Sequence, residues 1–274
     1  SKSAALFAMI GGGKAGNIIS PNPNTIATSE AFGVSLNSLM GINIIPALVA
    51  LVVTIILAKT MNRKFNDVIT DNDMDLMDNS SKNLPGFAKA LAGPVTVVVL
   101  LALRPLFDIV VDPLIALPLG GIVCLLACGE IKHISEYSSY GFSKVIGVCA
   151  LLIGTGTLSG IISNSHLQTD MINLIEMLKL KPFILAPLSG VLMAAATAST
   201  TAGSTIASKT FADTLTSAGV NNLNAAAMVH SGSTVIDSLP HGSFFHATGG
   251  SVKMAIKDRL KLIPYEAIVG LSST

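Results

Sequence analysis

The sequence predicts an all-α membrane protein, a multi-span helical bundle that contains broken helices and a re-entrant hairpin. Three observations predict it. Half of the 274 residues are hydrophobic and only 12% are charged, against about 25% charged in an ordinary soluble domain, and the mean hydropathy is +0.66. Apolar runs of bilayer length recur along the chain. Several of those runs are interrupted by Pro, Gly and clusters of Ser, Thr, Asn and His. The composition argues against a soluble enzyme, a disordered chain and a nucleic-acid binder, which needs a basic face. A net charge of +1 selects no partner by bulk electrostatics. Cys124, Cys128 and Cys149 all lie in apolar runs, unlike the cysteines of a secreted disulfide scaffold. The chain opens at Ser1 without an initiator Met or a signal-peptide pattern, which reads as a fragment.

A spanning helix needs about 20 mostly apolar residues. Residues 4–32 are apolar but broken by GGGKAGN and SPNPNT. Residues 31–58 hold no charge, and Ser38–Ala58 is the clearest span. Lys59–Lys89 is polar and carries Lys59, Arg63 and Lys64, then Asp67, Asp71, Asp73, Asp75 and Asp78; it reads as a linker. Ala90–Leu103, Pro113–Gly129 and Val145–Ser163 are the next apolar stretches, with Arg104, Asp108 and Asp112 at a helix end and turn facing water. Pro182–Ser208 is uncharged, but its second half is AAATASTTAGSTIAS. Ala225–Gly250 is partly apolar and holds three His, one Asp, one Pro and several Gly. Irregular backbone at membrane depth occurs only where it is buried or lines a wet cavity. Interrupted hydrophobic segments in corresponding places of two repeats point to a carrier site; the plainer reading is extramembrane loops.

Loop charge settles the topology of Pro182–Ser208. A full crossing puts eight Lys/Arg on one side and seven on the other; a hairpin that dips in and returns gives eleven against four. Positive loops prefer the cytoplasm, so the hairpin is adopted and residues 59–89 become a cytoplasmic linker. The expected organisation is residues 1–58 as the end of a first half, 59–89 as linker, and 90–274 as a second half with a hairpin at about 182–208 and a broken helix at about 225–250.

The site residues sit in these interruptions. Pro21 and Pro23 remove backbone donors and disfavour helix before them, leaving Ser20, Asn22, Asn24 and Thr25 to offer amides, hydroxyls and free carbonyls. A half-helix N-terminus there attracts anions; a tight surface turn is the bland alternative. Lys14 lies just before the break. A lysine at membrane depth costs about 2.5–3.5 kcal/mol on insertion scales, so it either serves as counter-charge to a carboxylate substrate or snorkels to an interface. Thr197, Ser199, Thr200, Thr201, Ser204, Thr205 and Ser208 place seven hydroxyls within twelve positions at the expected hairpin tip. Close helix packing needs small residues but not so many hydroxyls, which can satisfy a carboxylate or sugar hydroxyls without adding charge. Asp237 is the lone acid between Asp213 and Asp258, and intramembrane Asp and His commonly belong to ion or proton relays. Asp237 and His241 are therefore the proton-coupling candidates, followed by His230 and His246; helix capping is the plain alternative. Two other classes stand beside a carrier: an intramembrane hydrolase using a Ser with His230 or His241, for which no G-x-S-x-G elbow exists, and a metal carrier using His241 and His246, which do not share a helical face well.

Four stretches together resemble the bacterial gluconate:proton symporter family (gluconate permease, GntP-type). They are NIISPNPNTIATSEAFGVSLNSLMG, LLIGTGTLSGIISNSHLQTDMINLIEML, AAATASTTAGSTIAS and STVIDSLPHGSFFHATGG, the last carrying a D-x-LPH-x-G pattern in Asp237, Leu239, Pro240, His241 and Gly242. The resemblance covers nearly the whole chain and departs from the family pattern at Lys14 and at Asn164-Ser165-His166. It implies an inverted-repeat secondary transporter of the ion-transporter superfamily, in a multi-pass arrangement in a bacterial inner membrane. The expected partners are a small organic anion, a proton or sodium, the lipid bilayer and a second copy of the chain, with no nucleic acid. It implies no cofactor, no metal and no enzymatic activity. It also implies a chain lacking an N-terminal part and the last helix, holding about half of a binding site.

Overall fold

A computed structural model describes residues 1–65, 67, 84–107, 109, 111–163, 165–166, 169–170, 173, 177 and 181–274, without the side chains of 104–106, 144, 147–148, 151–152, 155–156, 158–160, 162–163 and 182. The regular elements among the described residues are helices: α1 (Lys2–Ile19), α2 (Pro23–Ala31), α3 (Leu36–Ile42), α4 (Ile44–Lys64), α5 (Phe87–Phe107), α6 (Pro113–Cys128), α7 (Ile134–Ser163), α8 (Leu185–Thr197), α9 (Thr200–Ser217), α10 (Asn222–Gly232), α11 (Ser243–Ser251), α12 (Ile256–Leu260) and α13 (Ile263–Ser272). They form two compact units, Ser1–Ile69 with Leu151–Thr274, and Thr70–Ala150. The N-terminal helices thus pack with the C-terminal ones, across the linker expected at 59–89. Most of the acidic run of that linker, Asp71 to Asp78, lies outside the described residues.

In the first unit α1 packs on α4. Leu6, Phe7, Ile10, Ala15 and Ile18 meet Ala47, Ala50 and Met61 in one core, and a Cβ on Gly11 would collide with the Thr54 side chain, so glycine sets how closely the two helices approach. The α1 helix stops at Ile19. Ser20 turns extended, as the prolines on either side of Asn22 require, and Pro23 then opens α2 at a position where a missing N–H costs nothing. The predicted span Ser38–Ala58 is two helices and not one. Pro46 has no N–H to offer the Ile42 carbonyl one turn back, and the chain kinks at Asn43, whose buried amide donates to the Ile18 carbonyl at 3.1 Å, near the end of α1.

Helix α4 runs 21 residues, about 31 Å at 1.5 Å per residue, and among the described residues it is the helix long and apolar enough to cross a bilayer. Its small residues Ala47, Ala50 and Thr54 face inward while Ile45, Leu48, Val52, Ile55 and Ile56 are exposed. A soluble helix does the reverse. Small residues inside and branched aliphatics outside are what lipid solvation favours. Shorter apolar helices are Phe87–Leu103, Pro113–Cys128 and Leu185–Thr197, and the predicted stretch 145–163 lies within α7.

The second unit pairs α5 with α6, where Gly93 and Gly120 bring backbone against backbone and Val97, Leu101 and Ala116 form the core. Asp112 caps α6, accepting from the Leu114 N–H at 2.7 Å. Asp108 lies outside the described residues, as does the side chain of Arg104.

Helices α8 and α9 fold back on each other. The turn is at Ala198, in the left-handed region at φ 46°, and at Ser199, which caps α9 by accepting from the Ala202 N–H at 3.2 Å. The second arm extends to Ser217, beyond the expected boundary at 208. Residues 200–208 consequently lie in its first turns instead of in an irregular tip. Phe211, Leu215, Leu185, Ala225 and Val229 build the core beneath. Helix α10 ends at Gly232, α11 begins at Ser243, and the intervening residues are the second interruption.

Candidate functional site

The first interruption is braced from within. The Asn22 amide donates to the Asn17 carbonyl at 2.6 Å, to Asn17 Oδ1 at 2.7 Å and to Ser20 Oγ at 2.9 Å. Asn22 Oδ1 accepts from the Thr25 N–H and from Thr25 Oγ1, each at 3.0 Å. Ser20, Asn22 and Thr25 therefore spend their polar atoms holding the break open, the work that a capping residue does for a helix start. Asn24 reaches outward instead. Its amide donates to Asn17 Oδ1 at 3.0 Å and meets His230 Nε2 at 2.9 Å, and Thr201 Oγ1 lies 3.5 Å from Asn24 Oδ1.

The hairpin hydroxyls divide in the same way. Thr197 donates back to the Met193 carbonyl at 2.8 Å, and Ser204 to the Thr201 carbonyl at 3.3 Å, the local back-bonding common for hydroxyls in helices. Ser208 donates to Thr28 Oγ1 at 3.2 Å, tying α9 to α2. Thr200, the first residue of α9, donates to Asp237 Oδ2 at 2.6 Å.

Asp237 is where the interruptions meet. The Lys14 ammonium, from α1, donates to Asp237 Oδ1 and to the Thr234 carbonyl. Ser238 Oγ donates to the same Oδ1 at 3.1 Å. The two charged side chains are only 5% and 8% exposed. Lys14 thus does not snorkel. It crosses from the first broken segment to the second and finds a carboxylate of this chain there. The hairpin turn closes the third side, because a Cβ on Gly242 would lie 2.6 Å from the Ala198 carbonyl oxygen.

The histidines part company. His230 is fully buried on α10; Asn24 holds its Nε2, and its Nδ1 has no hydrogen-bond partner, as is also true of the buried Thr205 Oγ1. His241 is exposed and its Nε2 lies 3.3 Å from the Ala196 carbonyl at the end of α8. His246 Nε2 lies 2.7 Å from the Pro240 carbonyl. Separate carbonyls hold these two rings, and the described residues contain no cluster of three metal-ligating side chains.

One charged pair escaped the sequence reading. Arg259, which the sequence reading did not single out, is buried and forms a two-pronged ion pair with buried Glu266, with its Nε 3.3 Å from Thr248 Oγ1 and its guanidinium 4.9 Å from the Phe245 ring centroid. The signal was present: Glu266 stands alone in the apolar run IPYEAIVGL, and an isolated acid in such surroundings needs a cation.

No family model matches the chain, and no solved structure matches it. All 274 residues align at 55% identity with a protein of Haemophilus influenzae (strain ATCC 51907 / DSM 11121 / KW20 / Rd) named as an uncharacterized transporter, and the chain spans 65% of that relative's length.

Proposed function

We propose that this chain is the greater part of a secondary active transporter that imports a small hydroxylated carboxylate, gluconate or a related sugar acid, together with protons across a bacterial inner membrane. The observation that carries the reading is the meeting of α1, the hairpin turn and the second interruption at Asp237. A buried ion pair is weak evidence for stability, and a pair shared by two interrupted segments and a hairpin is what a carrier built on broken helices needs at its centre. The similarity to a named transporter and the inside-out polarity of α4 support a membrane carrier, and the resemblance to gluconate permeases supports the substrate class. Thr200, Thr201 and Asn24 contribute polar atoms to the substrate, while Ser20, Asn22, Thr25, Thr197, Ser199 and Ser204 shape the ends that present them. Asp237 takes the proton, with His241 at the hairpin turn and buried His230 as its auxiliaries.

Uptake of labelled gluconate by cells expressing the full-length protein tests this reading, with citrate, glycerate and D-serine as competitors. Acid-stimulated accumulation that gluconate or glycerate suppresses supports it. Accumulation that follows a sodium gradient at fixed pH transfers the coupling to sodium. No accumulation of labelled gluconate, nor of the other three when each is labelled in turn, removes the substrate class.

A further inference from the structure

We infer that Lys14 is the anchor for the substrate's carboxylate and that Asp237 occupies it in the empty carrier, so that an acid binds only as Asp237 takes up a proton and releases Lys14. This rests on the carrier reading and deepens it by fixing how proton and acid are linked and in what ratio.

Charge conservation in a buried site carries the inference. Lys14 and Asp237 are both shielded from solvent and cancel each other. Adding a monoanionic acid alone leaves one uncompensated negative charge, and protonating Asp237 alone leaves one positive charge. Both are the states that a low-dielectric interior penalises most. Adding the two together restores neutrality. Only the empty pair and the doubly loaded site are neutral, so slippage of proton without acid, or of acid without proton, passes through a disfavoured charged state.

The surrounding groups fit both neutral states. The Thr200 and Ser238 hydroxyls donate to the Asp237 carboxylate, and a hydroxyl rotates to accept from a protonated acid equally well. Lys14 keeps the Thr234 carbonyl when Asp237 lets go, and the donor that Asp237 held becomes available to the incoming carboxylate. Thr200 opens α9 beside this point, so substrate hydroxyls meet Thr200 and Thr201. Other titratable groups on the elements around the pair are engaged elsewhere or face outward: His230 meets Asn24, His241 the Ala196 carbonyl and His246 the Pro240 carbonyl, Arg259 is bound to Glu266, and Glu30, Lys209 and Asp213 are exposed. The proton passes from the outer solution to an Asp237 carboxylate oxygen and leaves to the inner solution when Asp237 pairs with Lys14 again. One proton accompanies each monoanionic acid, and no net charge crosses.

The test uses the full-length protein in proteoliposomes with gluconate and glycerate as probes. The wild type should accumulate at least one probe under an outside-acid gradient and show no probe-dependent current on a solid-supported membrane. Asp237→Asn should lose accumulation yet keep exchange, with an affinity that no longer varies with pH. Lys14→Gln should bind the probe about 10- to 100-fold more weakly, the value of a lost hydrogen bond to a charged group. The double variant Lys14→Gln/Asp237→Asn keeps the site neutral, and should fold, as judged by its elution profile in detergent, without binding. A probe-dependent inward positive current, or D237N accumulation with wild-type pH dependence, overturns the inference and leaves the carrier reading standing. No acid-driven uptake of either probe by the wild type overturns both. The current measurement needs no variant, so misfolding of the single substitutions does not shelter the idea.

Discussion

Lys14 and Asp237 show how one residue's environment decides its meaning. A lysine in an apolar run permits two fates, and only the fold brings Asp237, 223 positions away, to its ammonium. Breaking a buried pair by removing one partner costs about 3–5 kcal/mol, because the other charge stays behind, whereas removing both is far cheaper. Asp237→Asn and Lys14→Gln are each expected to lose stability of that order, and the double variant much less than their sum, in a double-mutant cycle of denaturant unfolding in detergent. Additive losses would mean that the pair does not persist in the folded protein. A second carboxylate is tuned outside the spans. Burial pushes the Asp67 carboxyl up, but hydrogen bonds from the Ser3 hydroxyl at 2.6 Å and the Ser3 N–H at 2.7 Å outweigh it and hold the group below its ordinary value of 3.8. A depressed carboxyl stabilises the fold above the unfolded-state value, and that contribution disappears as pH falls through the folded-state value. Ser3→Ala is therefore expected to bring the Asp67 titration back toward 3.8 in a carboxyl-resolved NMR titration, and to start acid destabilisation at higher pH.

At the scale of elements, the interruptions were legible because proline and glycine act through the backbone. Pro21 and Pro23 end α1 by removing donors and excluding helical geometry, whatever surrounds them. Helices α8 and α9 fold back on each other at Ala198 and Ser199, and the position of that turn did not follow from composition. Hydroxyls and small residues serve a helix start as well as an irregular tip, and the left-handed Ala198 carries no mark in the sequence. The break at Asn43 was missed because an uncharged run looks continuous when only hydropathy is read, although Pro46 was its cause. Arg259 drew no notice because charge alone does not tell a buried cation from a solvated one, and its partner seven residues on becomes visible only when α12 and α13 turn toward each other. Gly242 supplies the test at this scale. A Cβ there would meet the Ala198 carbonyl oxygen and Cβ, both at 2.6 Å, and overpacking of this kind costs about 1–3 kcal/mol. Gly242→Ala should push the hairpin turn off the second interruption and lower transport more than Gly250→Ala, whose added Cβ meets nothing within 4 Å. Equal uptake by the two variants would show that close seating of the turn is not required.

At the scale of the whole molecule, the distribution of side chains around α4 fits a hydrocarbon surround better than water. If water surrounded this helix, exposing Ile45, Leu48, Val52, Ile55 and Ile56 while hiding Ala47, Ala50 and Thr54 would discard much of the hydrophobic driving force available to the segment. In hydrocarbon the same arrangement costs nothing outward, and inward it lets α1 approach to the contact at Gly11. The two solvents predict opposite responses to charge. Val52, 56% exposed, lies near the middle of α4. An arginine on a water-facing surface is usually within about 0.5 kcal/mol of neutral, whereas at the centre of a membrane helix it adds about 2.5–3.5 kcal/mol to insertion. Val52→Arg is therefore expected to reduce insertion of α4 by more than tenfold in a glycosylation-mapping assay, and Lys59→Ala, near the helix end, to leave it unchanged. Full insertion of Val52→Arg would place that face of α4 against water or against another part of the protein, and the orientation of the whole bundle would have to be drawn again from α8 and α9 outward.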